Sequence, residues 1–329
     1  MKSVLIIIDY FGATFPEWID LFFESCRWNP TIDWLIHTDC ETNADVPQNV
    51  TIRQMEWNDY VRLVSLKLGI HFQPSSSYKI CDIKPALGSI WEQEVEGYDF
   101  FGYGDLDVIY GNIRHFYTEQ ILQESNLLST HEWGISGHLC LIRNTLWMRK
   151  AYSRIKGWKS LFEFPDCTHF DEGHFHRAFF LLDAHSNRQF PFLHWVVDWF
   201  NPANLKYRRG AYMVEQFTTP LAPDLWEGMD VQHSHLWFWQ DGRLTNDANH
   251  DRQFIYLHFM NFKNARHMDA SFGTLAPWSK LTHLVSIEKN KIGAGFSIGL
   301  SGFQPLSYRH VSASTLLTPL APSLPLNVR

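Results

Sequence analysis

Gly97-Tyr98-Asp99-Phe100-Phe101-Gly102-Tyr103-Gly104-Asp105-Leu106-Asp107-Val108-Ile109-Tyr110-Gly111-Asn112 reads as an apolar, aromatic strand closed by two carboxylates. Side chains alternate along a strand, so a strand continuing through this point places Asp105 and Asp107 on one face. Gly102 and Gly104 thin the strand where something must approach its backbone. Two neighbouring carboxylates repel unless a cation lies between them, and an all-oxygen ligand set favours a hard ion, Mg²⁺ or Mn²⁺. Such an ion would in turn hold a diphosphate. The plainer alternative is a strand-to-loop turn in which Asp serves as a turn residue. The Asp-x-Asp triplet occurs once in the chain and closes a hydrophobic run rather than a polar loop, which favours the first reading.

Upstream, Val4-Leu5-Ile6-Ile7-Ile8 is a continuous apolar run closed by Asp9-Tyr10-Phe11-Gly12, the pattern of a strand buried on both faces of a parallel sheet. Thr14-Phe15-Pro16-Glu17 is expected to open a helix with Thr14 as its cap, carrying Trp18, Ile19, Phe22 and Phe23 at helical spacing. A second strand, Ile32 to His37, ends at Thr38-Asp39. Strand, helix and strand within this span predict a right-handed βαβ unit. Ligands of such sheets sit at the carboxyl ends of the strands, which selects Asp9, Tyr10, Phe11, Thr38 and Asp39. Neither Gly-x-Gly-x-x-Gly nor a P-loop lysine follows the first strand, so a dinucleotide fingerprint and an ATPase loop are both missing.

A strand over Val50 to Met55 and a helix over Trp57 to Leu68 come next. Tyr78 to Leu87 is expected to lead into a helix running to Glu94, with Lys79 and Lys84 just upstream of the carboxylate pair; a lysine there reaches a phosphate or is simply solvated. Further helices are expected over Phe116 to Ser125 and Trp147 to Lys156. Between them, Gly134 and Gly137 flank Ser136 before an apolar strand whose start lies close to a ligand. Thr168 to Arg177 is expected to enter an apolar helix ending near Leu182. Asp241-Gly242 after His235 to Trp239 signals a hairpin, and Phe254 to Phe259 reads as a strand followed by Asn261, Phe262 and Lys263. From about residue 266 the pattern weakens, and Leu316 to Arg329 reads as an extended tail.

The 329 residues are 45% hydrophobic and 19% charged, a composition that suits a soluble globular protein with a large core. A net charge of −7 gives no basic footprint for nucleic acid and no attraction to anionic lipid. Five scattered cysteines without a close Cys-x-x-Cys pair argue against a disulfide framework and a structural zinc site, and fit a reducing cytoplasm. The Val4–Ile8 run is too short for a signal-peptide core, and no apolar run approaches the ~20 residues of a membrane span. A soluble protein, or one touching the inner face of a membrane peripherally, is expected. Aromatics make up 16% of the chain and include 14 Trp, which suits carbohydrate faces and large cores equally.

Taken together, the βαβ start, the Asp-x-Asp closing a central strand and a distal strand ending in His before a Lys resemble glycosyltransferases of the GT-A fold. More narrowly, Asp9-Tyr10-Phe11-Gly12, Tyr78 to Pro85, Tyr98 to Asn112 and Ile135-Ser136-Gly137-His138 are similar to a bacterial family of polysaccharide-biosynthesis glycosyltransferases. The likeness spans roughly residues 1–265, with Asp105-Leu106-Asp107 its most specific piece. It implies an α/β fold with a Rossmann-like mixed central sheet flanked by helices and a smaller C-terminal extension. The implied division is a catalytic domain over 1–265, with a nucleotide half to about 112 and an acceptor half beyond it, followed by an extension over 266–329.

The resemblance further implies that Asp107 binds a divalent metal, Mn²⁺ or Mg²⁺, with Asp105 on the ribose or the metal shell. His258 would be the third protein ligand, Lys263 would meet the diphosphate, and Asp9, Tyr10 and Phe11 would hold the base; Asp39 and Lys84 join the nucleotide-binding candidates by their positions in the sequence. The donor would be a nucleotide-sugar such as a UDP-sugar, and the acceptor a glycan or lipid-linked sugar. In the inverting branch an acidic residue opening a helix after the acceptor-side strand acts as base; Asp171 and Glu172 occupy that place, without an unambiguous Glu-Asp pair. Other readings stay open. His258 is equally a strand-end histidine, Asp171 and Glu172 suit any helix start, and Trp237-Phe238-Trp239 suits packing as well as a sugar platform. The dehalogenase-type phosphatases want Thr where Val108 stands. His169, His174 and His176 lack the spacing of a zinc hydrolase, and a non-catalytic carbohydrate-binding protein is the rival from another class.

Overall fold

The computed structural model describes residues 1–132, 134–180, 210–219, 236–249, 251–263, 278 and 281–306, without the side chains of 261 and 263. The first strand, β1 (Val4–Asp9), is followed by α1 (Ile19–Arg27), β2 (Asp33–Thr38), β3 (Val50–Gln54) and α2 (Trp57–Leu68). Next come β4 (Phe100–Gly104), β5 (Val108–Tyr110), β6 (Leu127–Ser129), β7 (Leu139–Arg143) and β8 (Ala211–Met213). The remaining strands are β9 (Leu236–Gln240), β10 (Arg243–Asn246), β11 (Tyr256–His258), β12 (Phe296–Gly299) and β13 (Gly302–Pro305). The main sheet runs β3-β2-β1-β4-β7-β6-β8. Strands β3, β2, β1 and β4 are parallel to one another, and β7 turns back antiparallel to both β4 and β6. The expected α/β fold with a mixed sheet flanked by helices is what the chain adopts.

The apolar run of β1 explains why this strand lies inside the sheet. Leu5 and Ile7 face Tyr60, Val64 and Leu68 of α2, whereas Val4, Ile6 and Ile8 face Phe22, Phe23 and Cys26 of α1. All six β1 residues are buried. Each fully buried Ile or Leu contributes about 1.5–3 kcal/mol, so no polar alternation is tolerated there. A third core lies under a second sheet, β10-β9-β12-β13, where Trp237, Trp239, Phe254, Phe296 and Phe303 pack. This sheet combines strands from either side of residue 265. Its hairpin turns at Asp241 and Gly242, with φ of 51° and 72°, as an Asp-Gly hairpin requires. Trp237 and Trp239 are fully buried, and Trp239 Nε1 donates to the Tyr110 carbonyl at 2.8 Å, so this cluster is packing and not a sugar platform.

Several helices are shorter than the sequence pattern suggests. Thr14 does not cap α1, which starts at Ile19. Phe15 instead stacks on Tyr10 (centroids 5.8 Å apart), and Trp18 Nε1 donates to the Leu106 carbonyl at 2.7 Å, holding this stretch as a loop over the strand ends. The helix expected to reach Glu94 is broken into Ile80–Ile83, a tight turn at Lys84–Ala86 and Leu87–Ile90, because Pro85 has no N–H to continue it. Asn112 and Thr118 cap two short helices, Ile113–Phe116 and Glu119–Glu124, in place of one. The 147–156 helix divides into Leu146–Arg149 and a 3₁₀ turn, Ala151–Arg154. Beyond His169 there is a single π-helical turn, Phe170–His174, and a 3₁₀ turn, Phe175–Ala178. Residues 181–209, where the expected helix would end, and the tail from 307 lie outside the described residues.

The glycines of β4 face protein. A Cβ on Gly102 would stand 2.6 Å from the Cys140 carbonyl, and one on Gly104 would stand 2.8 Å from the Tyr110 hydroxyl. Close approach does explain both residues, but the approaching groups are β7 and β5 rather than a ligand. Gly102→Ala is expected to cost about 1–3 kcal/mol by overpacking. Chemical denaturation checks this, and an unchanged midpoint would show that β7 can give way.

Candidate active site

Three strand ends meet on one edge of the main sheet. The parallel pair β1 and β4 deliver Asp9-Tyr10-Phe11 and Asp105 there. Because β7 runs antiparallel to β4, with Leu139 opposite Gly104, its first residues rather than its last reach the same edge, bringing Gly137 and His138. The strand does not continue through the carboxylates. It ends at Gly104, and β5 leaves to pair with β11 in a small separate sheet, setting His258 opposite Val108. Asp105 and Asp107 therefore sit in a connection and take different partners, contrary to the expectation of one shared face.

Between these ends lies a cleft of about 500 Å³. Tyr10, Phe11, Lys84, Asp105, Asp107, Asp171, Glu172 and His258 line it, so residues scattered from 10 to 258 converge. Lys84 is the hub of one wall. Its ammonium is 2.6 Å from Asp105 Oδ1, donates to the Gly137 carbonyl at 3.0 Å and lies 3.7 Å from Asp171 Oδ2. Burial opposes the Lys84 charge, but Asp105 and Asp171, with the Cys81 thiol, overcome it and hold its pKa well above that of a free lysine. Lys84 is thus a fixed buried cation. Asp171 is almost fully buried, and burial together with Glu172 and Asp105 pushes its carboxyl well above the usual carboxylate range, against the pull of Lys84.

Glu172 differs from its neighbour. Its side chain is 48% exposed, and Oε1 accepts the Gly137 N–H at 3.0 Å and lies 3.5 Å from His138 Nε2. His138 is held neutral: burial, then the nearby His258, His131 and Lys84, place its pKa well below the usual histidine value. Nδ1 lies 2.9 Å from Ser136 Oγ and 3.2 Å from the Tyr256 hydroxyl, and that hydroxyl also meets Thr130 Oγ1 at 2.7 Å. A carboxylate only accepts, whereas hydroxyls do either, so Glu172 beside Nε2 favours the tautomer with its N–H on Nε2 and Nδ1 accepting from a hydroxyl. Gly137 and His138 are site residues whose roles the sequence did not assign; the Ser136-Gly137-His138 run before a strand was the available signal, and the reversed direction of β7 supplied the rest.

On the other wall His258 Nε2 is 3.5 Å from Asp107 Oδ2, while Nδ1 meets Thr219 Oγ1 at 3.2 Å and the ring lies against His138 (centroids 3.8 Å). A cation bound at about 2.1 Å from each atom bridges a 3.5 Å gap, so Asp107 and His258 fit a divalent ion. An imidazole beside a carboxylate favours Mn²⁺ over Mg²⁺, which demands oxygen. Asp105 Oδ1 is engaged by Lys84, while its carboxylate lies within electrostatic reach of both Asp107 and His258 in the same cleft. Among the described residues no group of three or more His, Cys, Asp or Glu side chains is gathered as a metal site, and this covers the His169, His174 and His176 set as well.

Other expected contacts are placed differently. The Asp9 side chain is turned inward: Oδ1 meets His37 Nδ1 at 2.8 Å, Oδ2 accepts from Trp91 Nε1 at 3.2 Å, and its side chain is fully buried. It braces the first strand end and offers no carboxylate to a nucleotide. Asp39 accepts the Gly12 N–H at 3.0 Å and does not line the cleft. The side chain of Lys263 lies outside the described residues. Among those residues, no helix is long and apolar enough to cross a membrane.

No curated protein matches the chain. Solved structures similar to it include mouse xyloside xylosyltransferase 1 in its apo form (11% identity, 66% of this chain and 86% of that one, TM-score 0.32). The galactosyltransferase LgtC with donor and acceptor sugar analogs is another (7% identity, 67% and 75%, TM-score 0.34). A third is the apo glycosyltransferase GlyE of Streptococcus pneumoniae TIGR4 (14% identity, 47% and 37%, TM-score 0.26). Likeness at this level assigns neither activity nor substrate. The model of DUF6625, described as a family of unknown function, matches residues 6–281, most of the chain, and the protein belongs to that family.

Proposed function

We propose that the chain is a metal-dependent glycosyltransferase of GT-A type, which moves a sugar from a nucleotide-sugar donor, such as a UDP-sugar, to a glycan or lipid-linked acceptor in surface polysaccharide synthesis. The observation that carries this reading is the cleft at the strand ends, where the adjacent Asp107 and His258, a buried ammonium, Lys84, and two carboxylates, Asp171 and Glu172, face one space. A sugar nucleotide leaves as a diphosphate, and positive charge must meet the charge that develops on it. A divalent ion on Asp107 and His258 supplies most of that charge when bound. Lys84 contributes fixed positive charge within the same cleft. Tyr10 and Phe11, at the end of β1, border the space left for the nucleotide.

Glu172 is the proposed base. The acceptor hydroxyl comes from solvent, and Glu172 is the more exposed of the two carboxylates, with one oxygen anchored by Gly137 and directed by His138. Asp171 is the buried partner of Lys84. With Trp237 and Trp239 buried, these two rings offer no face to a carbohydrate.

The test is thermal stability with nucleoside diphosphates, with and without Mn²⁺. Saturation at about a hundred times Kd is expected to add about 2.7 kcal/mol, with Mn²⁺ required. Asp107→Asn keeps the shape of the side chain and is expected to abolish the Mn²⁺-dependent part. Unchanged Mn²⁺-dependent stabilisation in that variant would overturn the reading.

A further inference from the structure

Two cysteines meet beside the cleft, and the proposed transfer uses neither. Cys81 and Cys167 are partly exposed, whereas Cys26, Cys40 and Cys140 are buried. Each of these two thiols is the strongest single influence on the ionisation of the other. Their backbones are held together independently of the sulfurs. Asp82, next to Cys81, accepts the N–H groups of Thr168 (2.8 Å) and Phe170 (2.7 Å) and the Thr168 hydroxyl (2.8 Å). Asp82 Oδ1 also lies 3.6 Å from Cys167 Sγ, and the His169 N–H reaches that sulfur at 3.4 Å. A rigid clasp therefore holds a pair of thiols that are far apart in sequence.

We infer that Cys81 and Cys167 form a redox-active dithiol that hydroperoxides convert to a reversible disulfide. The backbone assigns their order, because the His169 N–H is directed at Cys167 Sγ at 3.4 Å and favours a thiolate there. In keeping with this, the influence of Cys81 and the His169 N–H bring the Cys167 thiol down to about 7 against the opposing effect of burial. Cys81 is pushed up, by Cys167 and by burial. Cys167 is the attacking thiolate. Its sulfur takes an oxygen from the peroxide, and the O–O bond breaks to leave a sulfenic acid and one water or alcohol. The Cys81 sulfur then attacks the sulfenic sulfur, its proton leaves with the departing hydroxide as water, and the S–S bond forms. Two thiols and one hydroperoxide thus give one disulfide, with the peroxide as the species reduced. The bond would fasten the helix that leads to Lys84 to the turn that carries Asp171, and would change the cleft wall at Cys81, which lines it.

The experiment uses the full chain and hydrogen peroxide, with alkylation under denaturing conditions and peptide mass mapping. Two of the five thiols are expected to become inaccessible to alkylation, the 81 and 167 peptides to appear joined with a mass lower by two hydrogens, and dithiothreitol to restore both. In Cys81→Ser no joined peptide forms, and Cys167 is trapped by dimedone as its sulfenic acid. Five alkylatable thiols after treatment would overturn the inference, as would a joined peptide with a different cysteine, or a Cys167 sulfenate that persists in the wild type without linkage. The readout requires neither transfer nor donor binding, so it stands or falls apart from the proposed activity.

Discussion

Replacing Asp82 by Ala is expected to lower the folding free energy by about 3–5 kcal/mol, the cost of leaving a buried charge without its partner. Lys79 Nζ is 2.6 Å from Asp82 Oδ2, and neither side chain is exposed. The same ammonium donates to the carbonyls of Leu161 (2.7 Å) and Asp166 (2.9 Å). Removing the carboxylate strands that charge and also orphans the N–H groups of Thr168 and Phe170. The same buried pair need not stabilise the fold relative to an apolar one, so a Lys79→Met, Asp82→Leu double variant is expected to recover much of the loss. Urea unfolding of the single and double variants is the measurement. A loss below about 1 kcal/mol for Asp82→Ala would show that water reaches Lys79. Acid gives a second readout. Burial favours a neutral Asp82, but Lys79 and the Phe170 and Thr168 donors outweigh it and depress its pKa. The stabilisation is therefore fully present above the unfolded carboxyl pKa of about 3.9 and is lost as the pH falls through the lower folded value.

Glu172→Gln is expected to reduce sugar transfer by a factor of about a hundred or more while leaving donor affinity nearly unchanged. A hundredfold loss corresponds to about 2.7 kcal/mol of barrier. The amide keeps the shape and the acceptor oxygen that Gly137 and His138 hold, so the site should stay assembled while losing the proton acceptor. Asp171→Asn has a different expected signature. Asp171 neighbours Lys84 rather than solvent, so its loss should be felt in donor binding. Transfer rates at saturating acceptor, set beside the affinity for a nucleoside diphosphate, separate the two. A nearly fully active Glu172→Gln would return this residue to the rank of an acid at a helix start and would favour a reaction that needs no such base.

The sequence by itself determined the elements whose pattern is local. The Val4–Ile8 run of β1 is apolar at every position because both faces are covered, and a run of that kind can be read without knowing what covers it. The α2 span, Trp57–Leu68, and the Asp241-Gly242 turn are equally local, since helical periodicity and positive φ belong to the residues themselves. Where helices break was less legible. Pro85 breaks a stretch whose pattern reads as leading into one helix, and the loop at Thr14–Trp18 depends on Leu106, a distant contact.

Only the tertiary structure decided what the site residues do. Asp9 and Asp107 look alike as strand-end acids, yet one is turned onto His37 and Trp91 and the other faces His258. Asp105 and Asp107 are two positions apart, yet the departure of β5 into another sheet gives one to Lys84 and the other to His258. Gly137 and His138 enter the cleft because β7 runs against β4, a direction that no pattern within the strand records. The physical reason is common to all three. Burial and backbone preference act through near neighbours, whereas the partner of a charge is set by which distant strand ends the sheet brings together.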